Sequence, residues 1–136
     1  MGNVYADITI RNYSDIVMAE NGILPEKEVR EVFVNTLVDT GAWTLVISEA
    51  IREKLGLKVI REEMATLADY SRVPVKIVNT VEVIWKDRQM TCQPIMMPGT
   101  NEVLLGAIPL ENMDLIVDPK KQELTGRHGD IVLMRV

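Results

Sequence analysis

Leu37-Val38-Asp39-Thr40-Gly41-Ala42-Trp43-Thr44-Leu45 decides the fold. Upstream of it, Val32, Val34, Thr36, Val38 and Thr40 fall on one side of an extended chain, and Arg30 starts that series at its polar end. Period-two spacing of β-branched residues predicts a strand. Asp39-Thr40-Gly41 is then a turn, since Asp and Gly are both turn formers. Leu45-Val46-Ile47 is a second apolar run. The stretch therefore holds a carboxylate at a tight turn between two buried strands.

Outward from this turn, Ser48 is placed to cap a short helix, with Glu49 at its positive end and Gly56 as its stop. Leu57–Ile60, Glu63–Ala68, Val73–Val78, Thr80–Trp85 and Met90–Met96 read as strands. Asp69-Tyr70-Ser71 reads as a hairpin tip and Lys86-Asp87-Arg88 as a turn. Pro98-Gly99-Thr100-Asn101 is a loop, and Val103-Leu104-Leu105-Gly106 a short buried run ending at glycine. Pro109–Met113 has room for one helical turn, and Leu115–Val117, Glu123-Leu124 and Ile131–Val136 complete the strands. Before the decisive stretch, Val4–Ile10 alternates loosely, Asp15–Ala19 reads as a pairing strand, and Asn21-Gly22 and Pro25 break the chain. About ten short strands with one or two short helices predict an all-β barrel or sandwich. No repeat or linker interrupts residues 1–136, so one domain is expected.

Composition narrows the function. A net charge of −5 and a pI near 4.9 argue against nucleic acid and against a basic membrane-binding surface. With 47% apolar residues the chain can fill a core. Cys92 is the single cysteine, so no intrachain disulfide forms; in a strand-like run it reads as a small buried hydrophobe. The N-terminus lacks a signal-peptide pattern and no run is long enough to span a membrane, so a cytoplasmic location is expected. His128 is the single histidine and reads as a solvated turn residue. One His and one Cys supply no zinc set, and no metal or other cofactor is expected. Met90, Met96 and Met97 read as core or as flexible apolar lining of a substrate groove, and Trp43 and Trp85 read first as core. Trp43, two residues past Gly41, is also a candidate for substrate contact.

The chemistry available to Asp39 depends on a partner. A lone carboxylate is a poor base toward water. Two carboxylates about 3 Å apart share one proton and titrate as a unit. The ionised member can take a proton from a trapped water, while the protonated one hydrogen-bonds to a carbonyl. Asp-Thr-Gly occurs once in this chain, so the second carboxylate must come from a second copy. Thr40 could then link two loops near a symmetry axis, and Gly41 leaves room for a substrate backbone.

In three stretches the sequence resembles the retropepsin-like aspartic peptidases, the group holding retroviral proteases and cellular bacterial and archaeal relatives. These are Leu37-Val38-Asp39-Thr40-Gly41-Ala42, Leu67-Ala68-Asp69-Tyr70-Ser71 and Val103-Leu104-Leu105-Gly106. Leu110–Asp118 also looks like the cellular members. The resemblance spans roughly residues 29–125. It implies a small closed acid-protease-type β-barrel and a homodimer acting on peptide bonds. Asp39, Thr40 and Gly41 would form the catalytic loop. Ala42, Trp43, Leu105 and Gly106 would contact substrate, as would Ala68, Asp69 and Tyr70 of a hairpin flap. Three positions depart from the retroviral pattern: Trp43 replaces a polar residue, Ala107-Ile108 replace an arginine and a polar residue, and Tyr70 stands where many relatives have glycine. Two other readings stay open on the residues alone: a dimeric binding module that retains the Asp loop without cleaving, and an ordinary barrel with a chance turn.

Overall fold

Strict alternation builds the first sheet layer. In β1 (Tyr5–Asn12), Ala6, Ile8, Ile10 and Asn12 are buried while their neighbours face outward. β2 (Glu31–Val38) pairs antiparallel with it, setting Ile8 opposite Val34 and Ile10 opposite Val32. The computed structural model describes residues 2–67 and 69–128. Ala68 and the expected strand Ile131–Val136 lie outside the described residues.

Along the chain follow α1 (Tyr13–Glu20), placed between β1 and β2, then β3 (Leu45–Val46), α2 (Glu49–Leu55), β4 (Val59–Thr66) and β5 (Arg72–Val78). After these come β6 (Val81–Trp85), β7 (Arg88–Cys92), β8 (Ile95–Met96), β9 (Leu104–Leu105), α3 (Ala107–Asn112), β10 (Leu115–Asp118) and β11 (Glu123–Gly126). Nine strands form one sheet in the order β4-β5-β8-β3-β9-β2-β1-β6-β7, and β10 pairs with β11. The expected closed barrel is not drawn by these pairings: the sheet starts at β4 and ends at β7, with no ladder between them among the described residues. Ile10, Leu45, Ile47, Leu55, Leu57, Val81, Val83 and Leu105 fill the main core, and Trp85 joins them. A second cluster, Val46, Val75, Ile77 and Ile95, lies where β3, β5 and β8 meet.

Four sequence expectations are corrected. Asp15–Ala19 is helical, because Asn12 caps α1: its side chain accepts a hydrogen bond from the Asp15 N–H. With α2 and α3 this makes three short α-helices among the described residues, beside a 3-10 turn at Glu26–Glu28. Leu57–Ile60 and Glu63–Ala68 belong largely to the single strand β4, whose register shifts between Val59 and Arg61. Met90–Met96 breaks between β7 and β8 at Gln93-Pro94, where proline has no N–H to donate. The α2 expectation holds: Ser48 Oγ accepts from the Ile51 N–H, and Gly56 is left-handed at φ +65°.

The α1 corner is closed by an ion pair. Asp15 is buried and accepts bidentate hydrogen bonds from Arg30, Nε at 2.8 Å and Nη2 at 3.0 Å, plus the Arg30 N–H. The Arg30 guanidinium also lies against Gly56, where any Cβ would collide with it. Hydrogen bonding to Arg30 holds the Asp15 carboxyl below its ordinary range. A carboxyl that is more acidic folded than unfolded stabilises fully above its unfolded pKa, ~3.9, and loses that contribution as pH falls through its folded value. Asp15→Asn should therefore cost about 1.5–3 kcal/mol at neutral pH. The gap to the parent should narrow in urea titrations below about pH 4. A gap constant with pH would show that shape, and not charge, matters at this corner.

Candidate active site

The Asp39 turn is built by its flanking strands and held from below. β9 lies between β2 and β3, parallel to the first and antiparallel to the second, so both strands flanking the turn share one support. The Asp39 N–H donates to Leu105 O at 3.0 Å. Within the turn, Ala42 N–H donates to Asp39 O at 3.1 Å, and Gly41 N–H donates to Asp39 Oδ1 at 2.9 Å. The start of α3 closes the support: Ala107 N–H donates to Ala42 O and Ile108 N–H to Trp43 O, both at 2.8 Å. Two N–H groups that a helix start leaves unpaired are thus spent on fixing the loop.

Gly106 is the closest point of this contact. A Cβ there would lie 2.3 Å from Thr44 O and 2.6 Å from Ala42 O. Both are backbone atoms that cannot swing aside, so glycine is required by proximity.

Above the turn lies a cavity of about 380 Å³. Asp39, Gly41, Ala42 and Trp43 line one side, and Ala65, Thr66 and Leu67 of the β4–β5 hairpin line another. Val46, Ile95, Met97 and Leu104 complete an apolar wall. Asp39 is half-buried, with its carboxylate at the edge of this apolar space. The hairpin runs from β4 into β5 with Glu63 opposite Val75 and Thr66 opposite Arg72. At its tip, Leu67 N–H donates to Ser71 O and Tyr70 N–H to Leu67 O. Asp69 braces the tip by accepting from Ser71 N and Oγ, which holds its carboxyl below the ordinary range. Tyr70 is 88% exposed at φ +66°, a left-handed conformation that glycine adopts more readily.

The family described as aspartyl protease matches residues 26–126, which hold the Asp39 turn, the hairpin and the β9–α3 support. The chain belongs to the aspartyl protease family. Its fold is shared with the retroviral protease-like domain of Ddi1 from Leishmania major, at 16% identity and a TM-score of 0.56. That match covers 92% of this chain and 88% of the other. A retropepsin-like aspartic protease from Rickettsia conorii aligns at 16% identity and a TM-score of 0.46, covering 87% of this chain and 89% of that one. A search of the curated proteins finds no match.

Within this aspartyl protease family member, the sequence-derived site residues separate by position. Asp39, Gly41, Ala42 and Trp43 come together at the cavity, and Thr40 is exposed beside it. Leu105 is fully buried and Gly106 carries no side chain; both lie under the turn as supports. Asp69 and Tyr70 sit at the hairpin tip outside the cavity lining, and Ala68 is outside the described residues. Met97, read as core or groove lining, does line the cavity; the lining residues that sequence reading did not single out are Val46, Ala65, Thr66, Leu67, Ile95 and Leu104. Strand alternation announced one of two faces, and pairing with β9 and β8 chose which.

The remaining candidates resolve into structure. Trp85 is buried, whereas Trp43 is 52% exposed. Burial pushes the half-buried Cys92 thiol up to about 12, which leaves it without thiolate character at neutral pH. His128, read as a solvated turn residue, is exposed but paired: its ring Nδ1 lies 2.8 Å from Asp114, and its N–H also donates there. Among the described residues no group of three or more His, Cys, Asp or Glu is arranged to hold a metal ion, and no helix is long and apolar enough to cross a membrane.

Proposed function

We propose that the chain is an aspartic endopeptidase that works as a homodimer, with Asp39 from each copy meeting at a two-fold axis. One observation carries this reading: the single Asp-Thr-Gly carboxylate stands at the rim of an apolar cavity roofed by a hairpin, on a turn pinned by β9 and α3. A carboxylate so held needs a second one to activate water, and a second copy supplies it.

In the assembled site the two carboxyls share one proton. The ionised one takes a proton from water as the oxygen attacks the peptide carbonyl carbon. The protonated one hydrogen-bonds to the carbonyl oxygen as charge develops there. Collapse of the tetrahedral species returns the carbonyl, breaks the C–N bond and delivers a proton to the leaving nitrogen. Thr40, exposed beside Asp39, can donate and accept across the axis. The hairpin tipped by Tyr70 acts as the lid that excludes water once a peptide is bound. An interface on the order of 1,200 Å² or more would hold such a dimer.

Mixing tests the shared site. When parent chains are titrated with Asp39→Asn chains at constant total concentration and allowed to exchange, peptide cleavage should fall as the square of the parent fraction. A linear fall, with only the monomer in sedimentation, would show that each chain carries a complete site.

A further inference from the structure

Strand alternation leaves one aromatic ring in the open. Val32 and Val34 of β2 pack against the main core, so Phe33 between them points away from it and is 79% exposed. A phenyl ring left in water contributes little burial to the fold. On this outer face Phe33 stands directly opposite Thr9 of β1, and Thr9 stands opposite Ile84 of β6. Asp7 and Asn35 are the next pair along the same face. Together with Thr9, Phe33 and the backbone between them they line a dish of about 320 Å³. Phe33 precedes Asp39 by six residues, about 20 Å along an extended strand, and no residue of the dish lines the Asp39 cavity.

The polar groups of the dish are acceptors. Asn35 Nδ2 donates to Asp7 Oδ1 at 2.8 Å, which orients both side chains. Asp7 Oδ2 and Asn35 Oδ1 are left without hydrogen-bond partners among the described residues. The Thr9 hydroxyl is a further group able to accept. The neighbouring guanidinium does not balance them. Arg11, two residues past Thr9, is engaged by Glu26 at 2.8 Å and by Glu31 and Glu82, each at 3.4 Å. With Asp7, four carboxylates surround one guanidinium on this side of β1 and β2, so a guest has to bring positive charge. A second copy of this chain, at −5, is a poor complement to such a face.

Arginine meets all of these features at once. Its planar guanidinium stacks on an aromatic face, and its fork of N–H groups donates to two acceptors side by side. Lysine brings the charge without the plane or the fork.

We propose that the dish formed by Asp7, Thr9, Phe33 and Asn35 is a docking point for an arginine side chain on a surface segment of a partner protein. The guanidinium lies over the Phe33 ring and donates to Asp7 Oδ2 and Asn35 Oδ1. This contact is independent of the Asp39 site and holds whether or not the chain cleaves peptides.

The test is an NMR titration of the full chain. The probe is the capped pentapeptide Gly-Gly-Arg-Gly-Gly, beside counterparts with Lys, Gln or Leu at the centre. Salt is kept at about 0.15 M, which screens exposed charges beyond ~8 Å. The Arg peptide should shift the backbone amide signals of Asp7, Thr9, Phe33 and Asn35 to saturation. It should bind roughly fivefold or more tightly than the Gln and Leu peptides, with Lys between them. Phe33→Ser and, independently, Asp7→Asn should each reduce the Arg peptide to the level of the Gln peptide. Both side chains are exposed, so the thermal midpoints should stay close to the parent's. A Leu peptide binding as tightly as Arg would make the dish an apolar contact, and Lys equal to Arg would reduce it to bare charge. A preference that survives both variants would place the arginine elsewhere. Shifts of the same signals with protein concentration alone would make the face a contact between copies. Each of these outcomes overturns the proposal, as does the absence of saturable shifts.

Discussion

Asp39→Asn is expected to lower peptide cleavage by on the order of 10²–10⁴-fold, the range that a positioned acid or base contributes. The thermal unfolding midpoint should stay close to the parent's. The two effects separate because of how the side chain is held. Its hydrogen bond within the turn is accepted by Oδ1 from the Gly41 N–H, and an asparagine oxygen can accept the same bond. Asparagine keeps the turn but cannot take a proton from water. In the proposed shared site, one carboxyl must be ionised and the other protonated, so cleavage should follow a bell-shaped profile on the acidic side of neutrality. Initial rates on a diverse peptide library across pH, beside thermal melts of both proteins, check these points together. A variant that cleaves like the parent would remove Asp39 from the chemistry. A rate rising steadily from acid to alkaline pH would remove the shared proton.

The second large effect is expected at Gly106, which lies against the backbone of the Asp39 turn. Gly106→Ala puts a methyl group against Thr44 O and Ala42 O at distances no real contact tolerates. The strain must be relieved by parting the Asp39 turn from β9 and α3. That would disturb the bonds from Ala107 and Ile108 to the loop carbonyls. Overpacking of this kind costs about 3 kcal/mol, at the upper end of its usual range, because the obstacles are backbone atoms. For a chain of this size the midpoint should fall by roughly 10 °C. Cleavage per folded molecule should fall too, since a displaced loop loses the orientation on which catalysis depends. Melting curves and active-site titration of the folded fraction measure the two losses. An unchanged midpoint would show that the turn has room that the geometry does not grant it.

Local rules made much of this protein legible. Ser48 and Gly56 delimit α2 because a cap hydroxyl and a left-handed glycine act within one turn of chain. The β4–β5 hairpin and the Asp39 turn follow from period-two runs broken by turn residues. Where local reading failed, the signal was often present. Asn12, three residues before Asp15, is a good N-cap, and Pro94 interrupts an apparent strand.

The sequence by itself determined the carboxylate turn, its family and the hairpin, because each is written in neighbouring residues. Tertiary structure alone decided which face of each strand meets the cavity. Leu104 and Val46 line it while Leu105 and Ile47 do not, although each pair is adjacent and apolar. The parallel β2–β9 and antiparallel β3–β9 registers make that choice, and they join residues far apart in the chain. The same long-range contact sets Gly106 under the Asp39 turn, and it leaves the Trp43 indole at the surface while Trp85 goes to the core. Burial is decided by what packs across from a residue, and that partner is not a neighbour in sequence.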